Sequence, residues 1–150
     1  MEGRDGAVAQ TALGDRLDVA ATAAGVGALA DWLDALWTRR PVPEDVAFAV
    51  RLCLEEAMTN VVCHAYEDGA PGAMAVEVDD TGAELRFTVI DAGRPFDPLS
   101  AEAGPMAGAI EDVPVGGQGI NLIRSFACGI AYERRDGRNR LRLTFDAPPG

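Results

Sequence analysis

Three stretches of this chain put chemistry-bearing residue types at short, regular intervals. The first is L-E-E-A-M-T-N-V-V-C-H-A-Y, residues 54–66. Glu56, Asn60 and His64 are spaced four apart, so a helix would carry them on one stripe. A carboxylate and a carboxamide among apolar neighbours cost free energy unless something pairs with them. Two readings fit. Glu56 can act as a general base while Asn60 offers its side-chain oxygen to Mg2+, a cation that takes hard oxygen ligands and few of them from protein. Alternatively, the stripe is the solvated edge of a helix, where polar i,i+4 pairs are common. The second stretch is V-I-D-A-G-R-P-F-D-P, residues 89–98. Asp91 ends an apolar run and Gly93 follows two residues later. A carboxylate at a strand end can accept a hydrogen bond from an exocyclic amine such as that of adenine. A nearby glycine lets backbone come close to a flat ring. A plain turn would use the same residue types. The third stretch is V-G-G-Q-G-I-N-L-I-R-S, residues 115–125, with Gly116, Gly117 and Gly119 just before Ile120, Leu122 and Ile123. Amides at a helix start attract anions, and glycines let them approach phosphate oxygens. The run departs from the dinucleotide fingerprint, because Leu122 stands where the third glycine would be.

The elements that must position these residues follow from periodicity and punctuation. Residues 11–20 read as an edge strand. Residues 23–39 carry Val26, Leu29, Leu33, Leu36 and Trp37 at helical spacing. Pro43, Glu44 and Asp45 open a second helix over 44–66, with acids at the positive end of its dipole. A turn at YEDGAPGA precedes AMAVEVDD and ELRFTVID, which alternate with period two and join at Asp80-Thr81-Gly82 as a hairpin. Residues 92–115 show no clear period, and a loop of that length in a compact domain usually functions, for example as a lid. A glycine turn, a helix to about 127, and the strands GIAYERR and NRLRLTFD, turned at Asp136-Gly137, complete the order β-α-α-β-β-α-β-β. That order predicts an α+β, two-layer sandwich, with helices on one face of a mixed, mostly antiparallel sheet. Residues 1–10 read as a flexible N-terminus, 11–146 as the domain, and 147–150 as a tail.

Composition excludes several function classes. The formal charge is −11, so direct nucleic-acid binding is disfavoured, and an acidic surface suits a basic protein partner or simply keeps the chain soluble. All 13 basic residues are arginine, which excludes the lysine of a G-x-x-x-x-G-K-[ST] phosphate loop. Arg94 and Arg124 are then the cations nearest the candidate stretches. Cys53, Cys63 and Cys128 show no C-x-x-C spacing, and with a single histidine they do not make a zinc set. Cys53 and Cys63 read as small hydrophobes in a buried helix. No apolar run is long enough for a membrane span, and MEGRDGAVAQ is not a signal peptide, so the expected setting is the cytoplasm.

In chain order the three stretches give E-x-x-x-N on a helix, D-x-G after a strand, a long connection, and G-G-x-G at a helix start. This arrangement resembles the ATP-binding superfamily shared by gyrase, the Hsp90 chaperones, histidine kinases and MutL. More closely, EEAMTNVVCHAY, DAGRPFDP and GGQGINLIRSFA resemble the anti-sigma-factor serine-protein kinases, the partner-switching branch, over residues 11–146. The resemblance implies a Bergerat-type fold that binds ATP and Mg2+. It matches Glu56 to the glutamate that activates the attacking hydroxyl and Asn60 to the magnesium ligand. Asp91 matches the aspartate that holds adenine, with Gly93 beside it, and Gly116, Gly117 and Gly119 match the phosphate glycines. Residues 97–115 match the lid. At Asn139 or Arg140 the chain departs from a threonine pair that some relatives place near adenine. The implied function is phosphorylation of a serine or threonine on a small anti-sigma antagonist, together with sequestration of a sigma factor. Relatives commonly form homodimers. The alternative is a nucleotide-binding switch that holds its partner without transferring phosphate.

Overall fold

The computed structural model describes residues 15–67, 72–101 and 115–148, except for the side chains of 100, 101 and 115–119. In chain order the elements are β1 (Arg16–Ala20), α1 (Ala23–Gly27), α2 (Leu29–Arg39), α3 (Glu44–His64), β2 (Ala73–Asp80) and β3 (Glu84–Asp91). The one-turn α4 (Pro98–Ala101), α5 (Val115–Phe126), β4 (Gly129–Arg135) and β5 (Arg138–Asp146) follow. The strands form one sheet in the order β1-β2-β3-β5-β4, and every neighbouring pair is antiparallel. The described sheet therefore has no parallel pair, although a mixed sheet was expected.

Period two decides which side chains meet the helices. On β3, Leu85, Phe87 and Val89 face them, and on β5, Leu141, Leu143 and Phe145 do. The core closes with Leu29, Leu33 and Leu36 of α2, with Val50, Leu54 and Met58 of α3, and with Ile120 and Ile123 of α5. Trp32 and Phe145 each meet Phe87 edge-on, at 6.4 and 6.1 Å between ring centroids. Asp91 and Asn139 keep the phase of the apolar residues on their strands. They are also direct partners across the β3–β5 ladder, so the alternation aims both polar residues at the helix layer.

Two elements and one residue differ from the sequence expectation. The helix over 23–39 is two helices, α1 and α2, with Thr22 capping the first by accepting a hydrogen bond from the Gly25 amide at 3.0 Å. The glycines of 116–119 lie inside α5, which starts at Val115, and not in a turn before it. The burial of Ile120 and Ile123 supplies the helix stability that glycine lacks. Cys63 is exposed, whereas Cys53 is buried, and burial followed by the charge of Glu56 pushes the Cys53 thiol up to about 12. Both expected hairpins are present. The second turns at Asp136 and Gly137, both with positive φ (56° and 76°), as a two-residue turn matching strand twist requires.

The hairpin end of β2–β3 is locked by Arg40, which is 9% exposed. Its Nε donates to Asp80 Oδ2 at 3.1 Å, and its terminal nitrogens donate to the carbonyls of Pro41, Gly82 and Ala147. Burial pushes the Asp80 carboxyl up, but the Arg40 hydrogen bond, the Gly82 amide and the Arg40 charge outweigh it. The carboxyl ends below its usual 3.8. No helix among the described residues is long and apolar enough to cross a membrane.

Candidate active site

Asn60, Asp91 and Gly93 lie at the other end of β3, against the C-terminal half of α3, and Glu56 lies one turn before Asn60 on α3 without lining the cavity that Asn60 and Asp91 share. Glu56 is half-buried, Asn60 is 5% exposed and His64 is half-buried. The solvated-edge reading of this stripe therefore fails at Asn60. Its Nδ2 is buried without a hydrogen-bond partner, the only such side-chain atom among the described residues. Leaving a buried amide unpaired costs about 1–3 kcal/mol, so this atom needs a reason.

Asp91 is 7% exposed. Its Oδ1 accepts from the Gly93 amide at 2.8 Å and from Asn139 Nδ2 at 2.9 Å. Gly93 also has a packing reason: a Cβ there would lie 2.2 Å from the Ala65 carbonyl oxygen. Only glycine lets the chain leaving β3 pass this close to the end of α3. Arg94 then fastens that passage. Its amide donates to Ala65 O at 2.9 Å and its Nε to His64 O at 2.7 Å. Arg94 thus caps the C-terminus of α3, a favourable place for a cation. The His64 ring stacks on Phe96 at 5.1 Å. Burial, then the charge of Arg94, lowers the His64 pKa from 6.5, so the ring is neutral near pH 7.

Asn60, Asp91, Phe96, Tyr132 and Asn139 line one narrow cavity of about 20 Å3. That is room for about one water molecule. A flat base therefore enters only if a wall moves, and the walls on the connecting segment are Phe96 and Pro98.

Phe48 near the start of α3 meets Phe126 at the end of α5, at 6.3 Å, and the two helices pack along each other. They therefore run antiparallel, and the glycine end of α5 is directed toward the Asn60 end of α3. Gly116 and Gly117 lie in the first turn of α5, where the amides of a helix have no intrahelical acceptor, and Gly119 opens the second turn. Arg124 sits in the last turn of the same helix, about 12 Å along it from Gly116 at 1.5 Å per residue. The expected lid falls mostly at 102–114, outside the described residues. Its root holds the short helix α4.

Asn139 was noted from the sequence only as a departure from the threonine pair of some relatives, and Tyr132 was not singled out. Asn139 is 5% exposed and lies in phase with Leu141, Leu143 and Phe145. A polar residue in the apolar phase of a strand was the available signal. Arg134, whose Nη1 donates to Gly93 O at 2.8 Å, carried no such signal.

Residues 19–145 match the family model of the histidine kinase-like ATPase domain. The chain is similar to the serine/threonine-protein kinase BtrW of Bordetella bronchiseptica, with 33% identity covering 90% of this chain and 95% of the relative. It is 24% identical to the anti-sigma F factor of Clostridium botulinum over 63% of this chain, and spans 66% of that protein. Among solved structures it resembles the histidine kinase domain of the Erythrobacter litoralis EL346 blue-light activated histidine kinase. The TM-score is 0.53 at 20% identity, over 82% of this chain and 59% of that one.

Proposed function

The chain belongs to the histidine kinase-like ATPase domain family, in its serine-protein kinase and anti-sigma-factor branch, and we propose that it phosphorylates a small anti-sigma antagonist and sequesters a sigma factor. It is an ATP-using protein serine/threonine kinase. The observation that carries the site assignment is the orphaned Nδ2 of Asn60, buried on the wall that Asp91 also lines. A buried amide donor without an acceptor is costly to folding, and a ligand oxygen, such as that of a phosphate, would pair with it.

In this reading Asp91 accepts a hydrogen bond from the adenine amine, Gly116 and Gly117 present first-turn amides to the phosphates, and Gly119, one turn on, leaves room for them beside the helix. The residues at hand fit a hard cation, because Glu56 and Asn60 offer a carboxylate and a carboxamide oxygen, and the one imidazole of the stripe, His64, is stacked on Phe96. Asn60 Oδ1 would hold Mg2+, which when bound neutralises charge on the transferred phosphoryl group. Glu56, one turn before Asn60, takes the proton of the acceptor hydroxyl. The acceptor oxygen forms its bond to the γ-phosphorus as the bond to the β-phosphate bridging oxygen breaks, and ADP leaves. The formal charge of −11 favours basic surfaces on the protein partners.

The test is transfer of labelled γ-phosphate from Mg-ATP to antagonist proteins encoded in the same genome, with Glu56→Ala alongside. Label on one acceptor, lost in the variant, supports the assignment. ATP binding with no labelled acceptor would leave the nucleotide-dependent binding switch as the better account.

A further inference from the structure

We infer that Asn139 is a positioning residue that sets the nucleobase preference of this site and ties that preference to the segment Arg94–Phe96 that follows β3. The inference rests on the adenine role proposed for Asp91. The Asn139 carboxamide uses its whole hydrogen-bonding capacity on four different groups. Nδ2 donates to Asp91 Oδ1 at 2.9 Å and to the Arg94 carbonyl at 2.8 Å. Oδ1 accepts from the Tyr132 hydroxyl at 2.5 Å and from the Phe96 amide at 3.2 Å. An amide with two donors and two acceptor positions can make no more.

Two consequences follow from that saturation. With Nδ2 held by Asp91 and Arg94, and Oδ1 by Tyr132 and Phe96, the carboxamide cannot flip without breaking all four bonds. It therefore always turns a donor toward Asp91. Asp91 Oδ1, fed by Asn139 Nδ2 and the Gly93 amide, is kept as an acceptor in a fixed rotamer. A carboxylate so fixed accepts the 6-amino group of adenine and meets the 6-oxo group of hypoxanthine as a second acceptor. Sites built on a specific hydrogen bond reject the analogue that lacks it. The same carboxamide also holds the Arg94 carbonyl and the Phe96 amide, the segment that leads into α4. Phe96 walls the cavity that a base must open. Asn139 therefore joins the residue that reads the base to the segment that must move to admit it.

The experiment is calorimetric titration of the wild-type chain, Asn139→Ala, Tyr132→Phe and Asp91→Asn with ATP and with inosine triphosphate. Wild type should prefer ATP by at least about tenfold, the scale of one hydrogen bond to a charged group. In Asn139→Ala that preference should fall toward one, chiefly through loss of ATP affinity. Tyr132→Phe keeps the ring volume and removes only the hydroxyl that anchors Asn139 Oδ1. It should shift the ratio in the same direction by a smaller factor, which covers the case in which Asn139→Ala does not fold. Equal weakening of both nucleotides in folded Asn139→Ala, or an unchanged ratio in both variants, would overturn the inference and leave Asn139 a structural residue. If wild type does not prefer ATP and Asp91→Asn changes nothing, the adenine role of Asp91 fails first, and the inference falls with it.

Discussion

The two ends of β3 treat buried polar groups in opposite ways. At the hairpin end, Arg40 is matched on every side by Asp80 and by the carbonyls of Pro41, Gly82 and Ala147. At the Asp91 end, Asn60 is buried more deeply than Arg40 and its amide has no partner. A saturated buried charge ties loops together and contributes to stability. An unpaired buried amide destabilises the chain, and the proposed ligand site accounts for its retention at Asn60. The Asp91–Asn139 pair is intermediate: its bonds are satisfied inside the protein, yet they orient a group on the cavity wall.

The largest effect that would break this comparison lies in catalysis. Glu56→Ala should lower phosphate transfer to the acceptor by about 10²- to 10⁴-fold, the usual range for a general base, with ATP affinity unchanged. Undiminished transfer would remove Glu56 from the mechanism. Next, Arg40→Ala should cost about 2–3 kcal/mol, below the 3–5 of a fully buried pair because Asp80 is partly exposed. The expected drop in Tm is about 5–10 °C, with ATP binding retained; a loss of ATP affinity in the folded variant would mean that the two ends are not independent.

Asn60→Leu should do the reverse. Removing the orphaned amide should leave thermal stability equal or raised by about 1 kcal/mol. Mg-ATP affinity should fall about 10- to 100-fold. A destabilised variant that still binds Mg-ATP would show that Asn60 is structural. The smallest effect is in acid. The Asp80 carboxyl is depressed in the folded chain, so its contribution to stability is complete above pH 3.8. That contribution disappears as pH falls through the lower folded value. Denaturant melts of wild type and Asp80→Asn should therefore converge below pH 3.8; a constant gap would remove the Arg40–Asp80 pair as its cause.

Much of this was legible in the sequence because it depends on local periods. The α3 stripe, both hairpins, the order of elements and the helical core positions each follow from spacing within one element. So does the stretch of α5 that carries Gly116, Gly117 and Gly119, although its start at Val115 was misread as a turn. The break at Ala28 was missed because the apolar spacing of 23–39 runs straight across it. Gly93 was located, but its packing role was not, since the Ala65 carbonyl that excludes a Cβ lies 28 residues earlier in the chain.

The sequence by itself determined the polar stripe of Glu56, Asn60 and His64, the strand-ending Asp91 and the glycine run, because residue type and spacing are properties of the chain. Only the tertiary structure decided which of those polar groups are satisfied. Asn60 is orphaned and Asn139 saturated because hydrogen-bond partners are supplied by distant strands and loops. Pairing Asp91 with Asn139 required the β3–β5 register, and turning Arg94 toward α3 required the helix end to lie beside Gly93.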